Sequence, residues 1–292
     1  VQDPYHNFAD RYDWMVLESP SRTAFFKNRF RTHRTARLLD CACGTGRDLK
    51  MFADFGLNVE GSDLSPAMLE RARKTLSDAG LTVPLHQIDF RRLHDHFPDR
   101  FDAVVCLTSA LIEVIDDTDA LEALQSMRRV LKPGGILIFD QGLSDAMIQE
   151  KPKVDPILNT RDQSRLFVMN YEPAVMTIRI CDFIHTDADC NLHTFTVRLR
   201  IRLLDDWKRL LDPAKDNRAE FNIHIRNLLP RNRRRHRLYR PSLRVSPSAC
   251  RGRGRVPNHR DIAGSSFLKT TDVNDIGTRS RQDLIRSVLE FT

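Results

Sequence analysis

The 292-residue chain has no apolar run near the roughly 18 residues a membrane-spanning helix needs. The longest such run, 103–115, is interrupted by Thr108, Ser109 and Glu113. Its opening, Val1-Gln2-Asp3-Pro4, lacks the basic-then-apolar pattern of a signal peptide, so a soluble, cytoplasmic protein without a membrane partner is expected. The six cysteines form no C-x-x-C pair of the usual zinc spacing, and a chain this long needs no disulfide framework, so ordinary reduced cysteines are expected. Cys41-x-Cys43 lies in a glycine-rich turn with no partner pair after it. His94-Asp95-His96, just before Phe97-Pro98, reads as a solvated turn, so no metal site is expected. Lysine is missing from 217–260, where thirteen arginines face one acid, Glu220. The formal charge of +7 therefore resides in that stretch, and the rest of the chain is net acidic at −5.

What is present suffices for a packed domain, since 41% of the residues are hydrophobic. Tyr5, Phe8, Tyr12 and Met15 recur at helical steps, and a second helix is expected from Ser21 through Phe25, Phe26 and Phe30. Short apolar strands then alternate with helices. Strands are expected at 37–40, 58–63, 82–88, 101–107 and 136–140, with helices near 47–55, 67–79 and 121–127 and a Lys132-Pro133-Gly134-Gly135 turn before the fifth strand. That alternation predicts right-handed βαβ crossovers and a parallel sheet covered on both faces. From 165 to 203 apolar and polar residues alternate instead, as in an antiparallel meander with one wet face. A return helix is expected at 205–211 and a further strand at 221–225. No period survives from about 226 to 260, and a last short helix is expected at 280–291.

Chemistry concentrates at the ends of the first strands. In Leu38-Leu39-Asp40-Cys41-Ala42-Cys43-Gly44-Thr45-Gly46-Arg47 a glycine-rich turn joins a strand to a helix, which aims backbone N–H groups at a ligand. No third glycine follows near Leu49, which argues against a nicotinamide dinucleotide site. Asp63 ends the second strand, where a carboxylate can accept both hydroxyls of a ribose. Asp89, ending the third, can accept from an exocyclic adenine amine, with the Phe90 N–H beside it. Each acid alone would read as a solvated loop residue. Three consecutive strand ends with turn, acid and acid define a nucleoside-shaped crevice.

These residues, together with Gly61-Ser62-Asp63-Leu64-Ser65-Pro66-Ala67-Met68-Leu69 and Leu131-Lys132-Pro133-Gly134-Gly135, resemble class I S-adenosylmethionine (SAM)-dependent methyltransferases over about residues 5–212. The resemblance implies a Rossmann-like, doubly wound, seven-stranded and mostly parallel sheet with an antiparallel insert after strand 5. It implies SAM as cofactor, demethylated to S-adenosylhomocysteine. Gly44 and Gly46 would border the methionine end, Asp63 the ribose, and Asp89 with Phe90 the adenine. Leu107 and Thr108 would line the sulfonium, Tyr12 would close over it, and Asp40, Cys41, Ala42, Leu64 and Met68 would complete the lining. Ala42 stands where many members carry glycine. The expected organisation is a helical lid at 1–35, a SAM-binding core at 36–142, a substrate-covering insert at 143–204, core completion at 205–226, and an Arg-rich, disordered or aberrant segment at 227–292.

Asp89-Phe90-Arg91-Arg92-Leu93, Cys106-Leu107-Thr108-Ser109-Ala110-Leu111 and Ile138-Phe139-Asp140-Gln141 look like small-molecule N-methyltransferases of the glycine and sarcosine type. Quinone and natural-product O- or C-methyltransferases share parts of them. For substrate contact and proton removal the expected residues are Gln141, Tyr171 and Glu113. Arg165 and Arg179 are weaker choices for a carboxylate fork and are expected on a solvated strand face. Two other functions stay open: a nucleic-acid methyltransferase gripping phosphates through 226–260, and a SAM-binding module without turnover. The seventh strand is due where the lysine-free text begins, so 227–292 reads either as a disordered extension or as a frame shift near 213–226. Oligomeric state is not legible.

Overall fold

The computed structural model describes residues 3–15, 19–98, 100–140, 143, 145–186, 189–214 and 222–226. Tyr5 to Met15 do not make the α-helix their spacing predicts. The segment forms turns and then a 3-10 helix, Ala9–Met15. Asp3 is one reason. Its Oδ1 accepts the Tyr5 N–H (2.9 Å), while its Oδ2 takes Ser65 Oγ (2.8 Å) and the Ala67 N–H (3.0 Å), so a local side-chain turn competes with helix. Helix α1 (Pro20–Thr32) follows, starting one residue before the expected Ser21, with Ser19 at the N-cap position and Pro20 opening the helix.

The alternating region folds as β1 (Arg37–Asp40), α2 (Arg47–Asp54), β2 (Asn58–Asp63), α3 (Pro66–Asp78), β3 (Leu85–Gln87), the short α4 (Leu93–His96), β4 (Phe101–Cys106), α5 (Asp117–Arg129) and β5 (Leu131–Asp140). Capping residues set the helix starts. Ser65 Oγ accepts the Met68 N–H at 3.1 Å ahead of Pro66, and Asp116 accepts the N–H groups of Thr118 and Asp119. Gly46 enters α2 at φ +76°, and a Cβ there would stand 3.0 Å from that of Ala72 on α3. Glycine thus serves both the left-handed turn and the close packing of two helices.

Among the described residues the main sheet has six strands in the order β10-β5-β4-β1-β2-β3, all parallel, with β10 at Asn222–Arg226. A seventh strand, due after 226, the whole Arg-rich segment and the last short helix expected at 280–291 lie outside the described residues. Strand side chains alternate between two cores. Leu39, Val104, Leu137 and Phe139 join Leu124, Met127 and Trp207 on one face. Leu38, Ala103, Val105, Ile136 and Ile138 join Phe26, Phe30, Leu49, Phe52, Leu69 and Leu76 on the other. The 132–135 turn proves to be a bulge inside β5. Leu131 pairs with Phe101 and Ile136 with Ala103, and Lys132 Nζ reaches Asp102 Oδ1 (2.7 Å). The third strand is three residues long, since Pro84, just before it, cannot donate to a ladder.

After α6 (Asp145–Glu150), strands β6 (Val154–Asn159), β7 (Gln163–Tyr171), β8 (Val175–His185) and β9 (Cys190–Arg200) form an antiparallel sheet in chain order, and α7 (Leu204–Ala214) returns to the core. Met169, Met176, Ile178, Ile180 and Leu199 pack into the first core cluster. Arg179 is exposed as expected, but Arg165 is not: its side chain is 0% exposed. Arg165 sits opposite Asp182 on the neighbouring strand and forks onto it, Nε to Oδ1 at 2.5 Å and Nη2 to Oδ2 at 2.7 Å. Its guanidinium lies 5.0 Å from the Phe8 ring and 5.2 Å from that of Trp14 and also donates to the Arg11 carbonyl. Arg11 Nε closes the cluster on Asp182 Oδ2 (3.0 Å). The N-terminal segment covers what strand alternation alone would leave wet.

Asp182→Ala would leave Arg165 buried without its counter-ion, which costs about 3–5 kcal/mol. The Arg165→Met/Asp182→Ala double variant should recover much of that loss in urea unfolding. Additive losses would mean the two residues act independently.

Candidate functional site

The carboxyl ends of the parallel strands gather a set of carboxylates held by backbone N–H groups. Asp40, at the end of β1, is 1% exposed and accepts the Ala42 N–H (3.3 Å). Asp63, at the end of β2, accepts Gly44 N–H on Oδ2 (2.8 Å) and Ser65 N–H on Oδ1 (2.9 Å), tying the glycine turn to the next strand. Asp140, at the end of β5, accepts the N–H groups of Thr108 (3.1 Å) and Ser109 (2.7 Å). Glu113, in the short Ala110–Glu113 helix after β4, accepts the Tyr5 hydroxyl at 2.7 Å.

A cleft runs between these ends, lined by Tyr12, Asp13, Asp40, Ala42, Cys43, Gly44, Thr45, Arg47, Asp48 and Thr108. Thr45 Oγ1 donates to Asp13 Oδ1 (2.7 Å), joining the N-terminal segment to the glycine turn. Arg22, on α1, forks onto Asp48 at 2.8 and 2.5 Å. Arg47 also approaches Asp48, 3.6 Å from its Oδ1.

Burial dominates the electrostatics. It pushes the Asp40 carboxyl well above the usual range, helped by the charges of Asp48 and Asp63. Asp63 is raised by burial against the pull of its N–H donors. Burial lifts Asp140 to about 6 and Glu113 to about 7, the nearby Asp63 charge adding to the latter. Tyr5 and Tyr12 are raised well above their ordinary values by burial and by the field of Glu113 and Asp63. Burial lowers Arg22, but the hydrogen bonds and charge of Asp48 outweigh it and hold the guanidinium more firmly protonated.

Of the residues singled out in the sequence, Tyr12, Asp40, Ala42, Gly44 and Thr108 line this cleft. Cys41, Met68 and Leu107 are buried beneath it, and Leu64, beside Asp63, is 63% exposed. Gly46 caps α2 under the turn. Asp89 stands at the third strand's end, with Phe90 beside it, and Arg91 holds it from both oxygens. Burial would raise its pKa, but the Arg91 bonds and charge keep it low. Tyr171 is not brought to the cleft. Its hydroxyl reaches Met169 Sδ (3.6 Å), and the Lys153 ammonium lies 5.7 Å from its ring. Gln141 lies outside the described residues. Sequence reasoning does not single out Tyr5, Arg22 or Asp48, and it reaches Asp140 only as part of a resembling stretch. Among the described residues no group of three or more His, Cys, Asp or Glu is placed to hold a metal.

Residues 38–135 match the family model described as "Methyltransferase domain". Among curated proteins, a glycine/sarcosine N-methyltransferase of Aphanothece halophytica is 30% identical over 156 residues, 51% of this chain and 59% of the relative. A ubiquinone biosynthesis O-methyltransferase of Alkalilimnicola ehrlichii is 37% identical over 103 residues, 35% of this chain and 40% of the relative. The chain thus spans less than two thirds of these relatives' length. Among solved structures, SAM-bound CalS10, an amino pentose methyltransferase of Micromonospora echinaspora involved in calicheamicin biosynthesis, has a TM-score of 0.60 at 25% identity. It covers 71% of this chain and 87% of its own.

The raised carboxyls make stability depend on pH in a fixed direction. Glu113 rises from 4.5 to about 7 and Asp140 from 3.8 to about 6. Their contribution is therefore fully present below pH 4 and is lost as pH rises through 6 and 7. Glu113→Gln should flatten this decline, gaining stability relative to wild type at pH 8 but not at pH 4. Parallel pH profiles in urea unfolding would show that Glu113 ionises as an ordinary surface carboxylate.

Proposed function

We propose, from the premise that residues 38–135 form a class I methyltransferase domain, that the chain transfers a methyl group from SAM to a small-molecule acceptor, an amine of the glycine or sarcosine type. One observation carries this reading. Asp13, Asp40 and Asp48 line one crevice and the charges of Asp63, Asp140 and Glu113 couple to this group, while the guanidiniums of Arg22 and Arg47 both engage Asp48. Desolvated like charges destabilise one another unless a cation enters. SAM carries an ammonium, a sulfonium and one carboxylate, a net positive charge, on a neutral nucleoside, and so matches such a crevice.

The neighbouring groups suit the remaining parts of that ligand. Asp63 has acceptor capacity left for sugar hydroxyls, and Leu64 offers an apolar face to a base. Asp89 stands at the next strand end. When bound, SAM would supply a methyl group activated by its positive sulfur. The protein's share is then to align the acceptor and to remove a proton, because an amine attacks only when neutral. Glu113 suits that task, since a carboxyl with a pKa of about 7 takes up a proton readily near neutrality. The Tyr5 hydroxyl orients it. In this reading residues 1–35 and 143–204 cover the acceptor, supported by Tyr5 on Glu113, Tyr12 in the cleft and Phe195 of β9 packed 5.1 Å from Tyr5.

A phenolic or quinol oxygen is the second reading. The aromatic wall of Tyr5, Phe8, Tyr12 and Phe195 beside Glu113 favours a flat acceptor, and an O-methyltransferase is among the relatives.

Incubation with methyl-labelled SAM and a panel of glycine, sarcosine, amino sugars and catechols should yield a methylated amine, while product from catechol alone would select the second reading. Glu113→Gln should lower kcat toward the amine by about 100-fold or more and remove an ionisation near pH 7 from the rate profile. Asp63→Asn should weaken SAM binding about tenfold or more. No heat of SAM or S-adenosylhomocysteine binding by the wild type would sink the reading.

A further inference from the structure

The turn after β4 is strained. Thr108 and Ser109 are consecutive non-glycine residues at φ +56° and +68°, left-handed values that cost a residue bearing a Cβ. Both N–H groups point at one buried carboxylate, Asp140, which is 4% exposed. An ionised acceptor of two backbone donors makes strong, charge-assisted bonds, and these can hold the unfavourable turn. The peptide bond is planar and trans, so each carbonyl points opposite to the N–H of the residue that follows. With the N–H groups of Thr108 and Ser109 drawn to Asp140, the carbonyls of Leu107 and Thr108 face away from it. The Leu107 oxygen meets the Ala110 N–H at 3.4 Å. Thr108 lines the cleft, and four residues on from Ser109, in the helix that this turn launches, lies Glu113.

We propose that Asp140 is a positioning residue for methyl transfer, acting through the strained Thr108–Ser109 turn, which it holds so that the Thr108 face and Glu113 are both presented to the reacting groups. This rests on the function proposed above. Asp140 itself is not among the residues that line the cleft. Its β5 backbone is pinned on both sides, by β4 and by β10, so the carboxylate is a rigid post. Asparagine there would keep one acceptor oxygen but turn an NH2 toward the second N–H, and the turn would relax. Glycine at 109 should reverse part of that loss, since it adopts the left-handed region without cost.

Four measurements on the full chain test this. In wild type, hydrogen exchange followed by NMR should show the Thr108 and Ser109 amides protected, and exchange at open-loop rates would overturn the proposal without any variant. Asp140→Asn, at a temperature where circular dichroism shows it folded, should lower kcat about 100-fold while KM for the acceptor stays within about threefold. Its S-adenosylhomocysteine affinity, read by calorimetry, should fall by less than kcat does. Adding Ser109→Gly to Asp140→Asn should restore kcat about tenfold. An unchanged kcat in Asp140→Asn, or a loss that Ser109→Gly leaves untouched, would overturn the assignment while the proposed function stands. A wild type that neither binds the nucleoside nor transfers methyl would overturn both.

Discussion

The site rests on burying carboxylates and holding them with backbone N–H groups rather than with cations. Asp40, Asp63 and Asp140 end strands β1, β2 and β5 and take the N–H groups of Ala42, Gly44, Ser65, Thr108 and Ser109. These donors satisfy the oxygens without neutralising the charge. A guanidinium in the same places would give a more stable protein with nothing left to offer a ligand. The parallel sheet makes the arrangement feasible, because its strand ends and glycine turns all face one edge. Each of these acids ends a strand and takes its N–H donors from the loops that follow β1, β2 and β4.

That edge is covered by elements far away in sequence, and their attachment is ionic at its centre. Arg165 and Asp182 belong to the antiparallel sheet, whereas Phe8, Arg11 and Trp14 belong to the N-terminal segment, and the contact among them fixes one upon the other. Apolar residues would bury at least as favourably, so the gain lies in register. The Arg165–Asp182 fork sets where the 3-10 helix sits, and that in turn sets Tyr12 at the cleft. Stacking of Phe8 on Phe195, 4.3 Å apart and nearly parallel, adds an apolar clamp beside it.

Chain separation decides how much of this is legible in the sequence. The turn at Gly44 to Gly46, Asp63 and Asp89 can be located because each sits at a strand end within a local strand–turn–helix pattern. The alternating strands of the insert are equally plain, since a two-residue period needs no partner to be seen. Pairs joined over distance leave no such trace. Tyr5 meets Glu113 across 108 positions and Arg22 meets Asp48 across 26. Arg165 is expected in water because alternation marks two faces of a strand but cannot say that a third element covers the second. Tyr171 is expected to turn inward for the same reason, and its hydroxyl goes instead to Met169. The bulge at 132–135 reads as a turn because Pro-Gly-Gly signals a break without saying whether the strand resumes in register.

Under the proposed function, a cleft of desolvated carboxylates would also shape the release of product. SAM would bring an ammonium, a sulfonium and a carboxylate to the edge, and loss of its methyl group would leave the sulfur neutral. The attraction from Asp40, Asp63 and Asp140 is stronger in a low-dielectric setting than in water, so removing one charge weakens it more there than on an open surface. The positive charge would leave the sulfur with the methyl group, so a neutral amine that accepts it would become an ammonium and shed its proton afterwards. Under that reading these carboxylates would hold the product less firmly than SAM, because one ligand charge has left the edge with the acceptor.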